Sequence, residues 1–222
     1  MALDPSYRAV CFDMDGTLLD TVVDYDRLAS VVPDILEEMG ARPLPRLPGE
    51  TETGWGERTL RECGRSGDAE RLQGLADGRR TAIEMENIGM AKPFGGVREA
   101  LAALRAAGYA MGVLTRGGRL YAESALGSAG LLEMIDALVA RDDFPECEMK
   151  PSPKSMGNMA AALGLSPAEI LYLGDSRADM LAANGSGAGF RGVLTGRCDR
   201  AAWAAAGEAR VVDGVASLLG MI

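Results

Sequence analysis

The chain has 222 residues, 47% of them hydrophobic and 25% charged, with a net charge of −9. That size suits one large soluble domain or a domain carrying an insertion, and the acidic balance argues against nucleic acid and anionic membrane surfaces as partners. No apolar run reaches the ~18 residues of a membrane span, and MALDPSYRAV shows no basic-then-apolar leader. Cys11, Cys63, Cys147 and Cys198 form no C-x-x-C pair, which fits a reduced, cytoplasmic protein. There is no His, and the only Lys residues are Lys92, Lys150 and Lys154. Histidine-based nucleophilic, phosphocarrier and zinc chemistry is thereby removed, leaving carboxylates, Lys, Tyr and Cys for acid–base work.

The first element is an apolar strand, Arg8–Phe12. Asp13-Met14-Asp15-Gly16-Thr17-Leu18 follows it, at the strand end where open α/β sheets bind ligands. Two carboxylates this close repel each other, and a hard cation between them, Mg²⁺ for instance, relieves that repulsion. Gly16 lets the backbone turn and present amides to an anion. A calcium-type loop and a capped acidic turn share this pattern.

No convincing strand appears between about Thr21 and Met90. Leu28, Val31, Val32, Ile35, Leu36 and Met39 recur at helical spacing over Asp24–Met39, with Pro33 inside as a possible kink or break. A Pro- and Gly-rich stretch, RPLPRLPGETETGWG, reads as a loop, and further helical segments cover Glu57–Cys63 and Ala69–Met85. Some seventy residues do not fit a structureless connection. Residues 21–90 are therefore expected to form a helical insertion, its two crossings near Asp20 and Lys92–Pro93 acting as a paired hinge. Trp55, between Gly54 and Gly56, reads either as a lid on a flexible loop or as a core anchor. Arg58, one turn on, is the insertion's candidate contact for an anion.

After the Glu99–Ala107 helix the chain alternates. Strands are expected at Tyr109–Thr115, Ile135–Ala140, Ile170–Leu173, Phe190–Leu194 and Ala209–Val212. Helical stretches at Gly118–Gly130, Ser152–Leu163, Ala178–Ala183, Ala201–Ala206 and Val215–Leu219 separate or follow them. That order implies a parallel sheet covered on both faces. Thr115, with Arg116 and Gly117 behind it, ends one strand as an anion contact or an ordinary strand-terminal Thr. Lys150 stands before Pro151 in a loop the prolines stiffen, as a fixed ammonium or a solvated Lys; Lys154 is read as solvated. Asp175 and Asp179 share one face if a helix starts behind ILYL, as ligands or as helix caps. Together these groups fall on one rim of one sheet.

The ordered set Asp13-Met-Asp15-Gly-Thr, strand-Thr115, Lys150-Pro, Gly-Asp175-x-x-x-Asp179 resembles the haloacid dehalogenase superfamily over nearly the whole chain. Its phosphoglycolate-phosphatase-like branch is the most similar in size and in the LYLGDSRADMLAAN segment. The resemblance implies a Rossmann-like α/β core, residues 1–20 and 91–222, with a helical cap, residues 21–90. It implies a cytoplasmic, Mg²⁺-dependent phosphatase of a small phosphorylated metabolite, as monomer or homodimer. Asp13 would be the nucleophile, forming an aspartyl-phosphate, and Asp15 the acid and base, its backbone carbonyl on the metal. Thr115 and Lys150 would hold phosphoryl oxygens, with Lys150 also neutralising Asp13. Asp175 would bind Mg²⁺ beside Asp13, and Asp179 would support the metal site from behind its ligands or reach the ion through water. Gly16, Arg116, Trp55 and Arg58 complete the candidate phosphate- and substrate-binding set. Arg116 departs from the small polar residue often found after the motif Thr. A sugar phosphomutase is the enzymatic alternative, though its cap His is missing; a phospho-acceptor module is the non-enzymatic one.

Overall fold

The computed structural model describes residues 2–222. The chain divides into two compact units, one made of the chain up to Val22 with Ile88–Ile222, the other of Val23–Asn87. Among the described residues no helix is long and apolar enough to cross a membrane.

The larger unit is an α/β fold. Its strands are β1 (Ala9–Phe12), β4 (Ala110–Leu114), β5 (Ala137–Val139), β6 (Ile170–Gly174), β7 (Gly189–Val193) and β8 (Val211–Val212). They form a six-stranded sheet in the order β5-β4-β1-β6-β7-β8, and every pairing is parallel. The strands are short, and the central β4, β1 and β6 are almost wholly buried, as expected when helices cover both faces. Connecting helices are α4 (Val97–Ala106), α5 (Arg119–Ser128), α6 (Pro153–Leu163), α7 (Arg177–Ser186) and α8 (Arg200–Ala205). Val215–Gly220 closes the chain as a 3-10 segment. Two short strands, β2 (Leu19–Asp20) and β3 (Lys92–Pro93), pair antiparallel where the chain leaves and re-enters this unit.

One face of the sheet buries Ala9, Cys11, Leu114, Ile170, Tyr172 and Phe190 against Met156, Met159, Met180 and Trp203. Gly192 lets the Trp203 indole lie on the sheet, since a Cβ there would stand 2.6 Å from its ring. The alternate residues Val10, Phe12, Leu171 and Leu173 are equally buried on the opposite face. Because β1 is central, its neighbours β4 and β6 leave in opposite directions of chain order. The C-terminal end of β1 is thus the switch point where such sheets hold ligands.

The second unit packs α1 (Tyr25–Glu38), α2 (Glu52–Glu62) and α3 (Ala69–Met85) around Val31, Val32, Ile35, Leu36, Trp55, Leu60, Leu72 and Ala76. Pro33 neither breaks nor splits α1, which runs as one helix through it.

The expected loop around Trp55 is helical. Thr51 caps α2 by accepting the Gly54 amide, and Trp55 lies inside the helix with its indole N–H donating to the Leu44 carbonyl at 2.7 Å. Gly56 marks close approach rather than flexibility: a Cβ there would lie 2.5 Å from Leu72 Cδ2 and 3.1 Å from Val32 Cγ1. Trp55 is therefore a core anchor, and the lid reading is corrected. Arg58 is corrected likewise, its guanidinium holding both oxygens of Glu50 at 2.6 and 2.9 Å and the Pro45 carbonyl at 2.8 Å. That pairing holds the Glu50 carboxyl down to about 2.

An eleven-residue helix is marginal on its own, so α2 depends on this packing. Gly56→Val should destabilise the helical unit by about 1–3 kcal/mol through overpacking, despite the better helix propensity of Val. Urea unfolding followed by Trp fluorescence measures it.

Candidate active site

Three strand ends bring the site together. Asp13 follows β1, Thr115 follows β4 and Asp175 follows β6, with Lys150 arriving from the turn before α6. All four are buried, as is Asp179 on the first turn of α7.

Lys150 is the hub. Its Nζ lies 2.5 Å from Asp13 Oδ1, 2.7 Å from Asp179 Oδ1, 2.9 Å from the Leu114 carbonyl and 3.0 Å from the Tyr172 hydroxyl. Burial alone pulls its pKa down, but the two carboxylates outweigh it and hold the ammonium above its ordinary range. Three N–H bonds face four oxygens, so the ammonium is saturated without any ligand. Lys154, by contrast, is largely exposed and pairs with Glu148 at 3.2 Å.

Asp179 has a double use. Its Oδ1 takes Lys150 and Tyr172, while Oδ2 accepts from the Ser176 amide at 3.0 Å and the Ser176 hydroxyl at 2.5 Å. Ser176 accepts the Asp179 amide in return, a capping box that starts α7. Gly174 makes room for it, since a Cβ there would overlap the Asp179 side chain.

Asp13, Asp175 and Asp179 each offer a carboxylate oxygen, and these three oxygens lie within 4.8 Å of one another. Asp13 has one oxygen on Lys150 and Asp175 has Oδ2 on the Arg197 amide at 2.7 Å. The second oxygen of each has no protein donor among the described residues. Burial raises the Asp13 pKa well above the ordinary range; Lys150 opposes this, and Asp179, Asp175 and Asp15 add to it. Asp175 is raised by burial too, against the Arg197 amide. Two uncommitted oxygens among buried, mutually repelling carboxylates fit a hard divalent cation. Asp179, with both oxygens taken, fits a supporting position.

Asp15 stands apart from that cluster. Its Oδ1 accepts from the Tyr121 hydroxyl at 2.6 Å and the Thr21 hydroxyl at 2.7 Å. Burial raises its pKa, and these two bonds oppose the rise. Its carboxylate is engaged by these hydroxyls through Oδ1, and its backbone carbonyl stays the candidate metal contact.

The Gly16 reading is corrected as well. Its amide donates to the Leu19 carbonyl at 2.8 Å instead of facing an anion. Its φ of 78° turns the loop, and a Cβ would stand 2.7 Å from Asp175 Oδ2. Thr115 Oγ1 accepts the Gly117 amide at 3.0 Å, which leaves its proton to donate. Arg116 is exposed at the rim, with no side-chain partner among the described residues.

A fourth strand end also reaches the site. Thr195, after β7, donates to the Gly16 carbonyl at 2.6 Å, and the Arg197 and Cys198 amides hold the Asp175 side chain and backbone. A Cβ on Gly196 would overlap the Asp175 carboxylate. The sequence signal for this segment was a Thr-Gly step behind another strand of the same rim.

With this geometry in place, the comparisons with known proteins agree on the class. The family model of haloacid dehalogenase-like hydrolases matches residues 10–193, and the chain belongs to that family. It is 31% identical to a phosphoglycolate phosphatase of Neisseria meningitidis over 86% of this chain and 82% of that one. It is 28% identical to an N-acetylmuramic acid 6-phosphate phosphatase of Pseudomonas aeruginosa over 81% of this chain and 78% of the relative. Among solved structures, a hydrolase from Pseudomonas syringae superposes with a TM-score of 0.66 at 29% identity, covering 96% of both chains.

Asp13→Asn should raise the thermal stability of the metal-free protein near neutral pH. The folded-state pKa of Asp13 is raised, so its protonated form is favoured by folding. That contribution is complete below the unfolded pKa and lost as pH rises through the folded one. Asn keeps an oxygen for Lys150 but never ionises. The melting-temperature gap between variant and wild type, measured in EDTA, should open as pH rises and close toward acid.

Proposed function

We propose that the protein is a Mg²⁺-dependent phosphatase of a small phosphomonoester, working through an aspartyl-phosphate on Asp13. The observation that carries this reading is the Lys150 ammonium bridging Asp13 and Asp179 beside the free oxygens of Asp13 and Asp175. Such a site is built to neutralise charge around one carboxylate nucleophile.

Asp13 and Asp175 would hold the cation with the Asp15 backbone carbonyl, and Asp179 would brace the set. When bound, the cation supplies charge neutralisation at the transferring group. Asp13 attacks phosphorus while the bond to the leaving oxygen breaks, and Asp15 gives that oxygen its proton. A water then attacks the phosphorus of the aspartyl-phosphate, Asp15 takes its proton, the Asp13–phosphorus bond breaks and phosphate leaves. Lys150 favours the ionised form of Asp13 against the effect of burial, and the Thr115 hydroxyl donates to a phosphoryl oxygen. For Lys150 to contact that phosphoryl group it exchanges one of its present partners.

The relatives' named substrates are both alkyl phosphates of an acid, and phosphoglycolate is the simplest member of that class. Arg116, beside Thr115 and without a partner, is assigned to the second anionic group of such a substrate. In the same reading the helical unit is the family's cap, selecting the substrate while the larger unit carries the chemistry.

Phosphate release from a panel of phosphorylated metabolites, with Mg²⁺ and with EDTA, tests the reading. Hydrolysis should require Mg²⁺, should be suppressed by Ca²⁺, whose longer and more numerous bonds spoil the geometry, and should vanish in Asp13→Asn. Arg116→Met should raise KM for phosphoglycolate and leave KM for glycerol phosphate unchanged. A flat panel, or normal turnover by Asp13→Asn, would sink the proposal.

A further inference from the structure

Asp15 is gripped on one side only. Tyr121 Oη and Thr21 Oγ1 both donate to its Oδ1, at 2.6 and 2.7 Å. Two hydroxyl donors occupy the in-plane lone pairs of that oxygen. A proton carried by this carboxyl group therefore sits on Oδ2.

The position of Tyr121 is built into the local sequence. It lies on the first turn of α5 with only 2% of its surface exposed. Its ring occupies the space where a side chain on residue 117 would stand: a Cβ on Gly117 would be 2.7 Å from Tyr121 Cδ1 and 3.1 Å from Cε1. The glycine behind Thr115 and Arg116 thus admits a ring whose hydroxyl crosses to the β1 loop, 106 residues away in the chain. None of the four motifs contains Tyr121.

We infer that Tyr121 is a positioning residue that, together with Thr21, fixes the Asp15 carboxyl so that Oδ2 delivers the proton to the leaving oxygen. This rests on the phosphatase reading above. Without the phenol, the carboxyl group can turn about its last bond and put its proton on the wrong oxygen. The loss should then fall on substrates whose leaving group needs a proton.

The test compares kcat/KM, which covers phosphoryl transfer to Asp13, for phosphoglycolate and para-nitrophenyl phosphate. The first leaves as an alkoxide-level group that must be protonated; the second leaves as a stabilised phenolate. Tyr121→Phe keeps the buried ring and removes only the hydroxyl. It should lower kcat/KM for phosphoglycolate by about tenfold or more, through kcat and not KM, and for para-nitrophenyl phosphate by less than about twofold. Asp15→Asn should show the same split, larger. Equal losses on both substrates would make Tyr121 a merely structural residue and overturn the inference. No loss on either would overturn it as well. If wild type hydrolysed neither ester, the phosphatase reading would fall and take this inference with it, whereas an active wild type with an unsplit variant would remove this inference alone.

Discussion

Lys150 Nζ sits among four oxygens with 3% of its side chain exposed. An ammonium moved from water to such a place loses several kcal/mol of solvation, and only close, well-directed partners return it. Asp13 and Asp179 supply the charge, and the Leu114 carbonyl and Tyr172 hydroxyl fill the rest of the shell. The dependence is mutual. Removing the lysine would leave Asp13, Asp175 and Asp179 buried together with no cation between them. The strand ends of β1, β4 and β6 are thus tied at one point by a contact that no surface ion pair could replace.

The same contact links the site to local folding. Asp179 starts α7 through its capping box with Ser176 and also holds Lys150 through its other oxygen. Helix initiation and charge placement therefore depend on one side chain. Tyr172 adds a second tie, since this strand residue belongs to the apolar core by its ring and to the charged site by its hydroxyl. The site is stiff because its parts are also parts of the scaffold.

Most of the α/β core was legible because buried parallel strands leave short apolar runs, and ILYL and YAMGVL could be little else. Lys150 was easy to find because lysine is so rare in this chain. What stayed hidden has a common physical character. Glycines that admit a neighbour look the same in sequence as glycines that loosen a loop, so Gly54-Trp55-Gly56 left a lid and a core anchor open, and the packed helix makes it the anchor. Arg58 looked available because nothing in the sequence tells which of many acids will pair with it, and Glu50 does. The Gly16 amide looked open because its acceptor, the Leu19 carbonyl, is created by the turn itself. The Tyr121–Asp15 bond spans 106 residues and has no local signature.

The antiparallel pair β2–β3 gives the fold a property of a different kind. Leu19 pairs with Pro93 and Asp20 with Lys92, so the chain is fastened to itself at the two points where it departs from the sheet and returns. Seen from the sheet, everything between them is one closed loop whose ends are already fixed together. The entropy of closing such a loop grows only with the logarithm of its length, about 0.6 kcal/mol for each doubling. The stability of the α/β unit therefore depends only weakly on how long the intervening segment is. With its ends clasped in this way, the helical segment can be lengthened or trimmed at little entropic cost to the sheet that carries the charged rim.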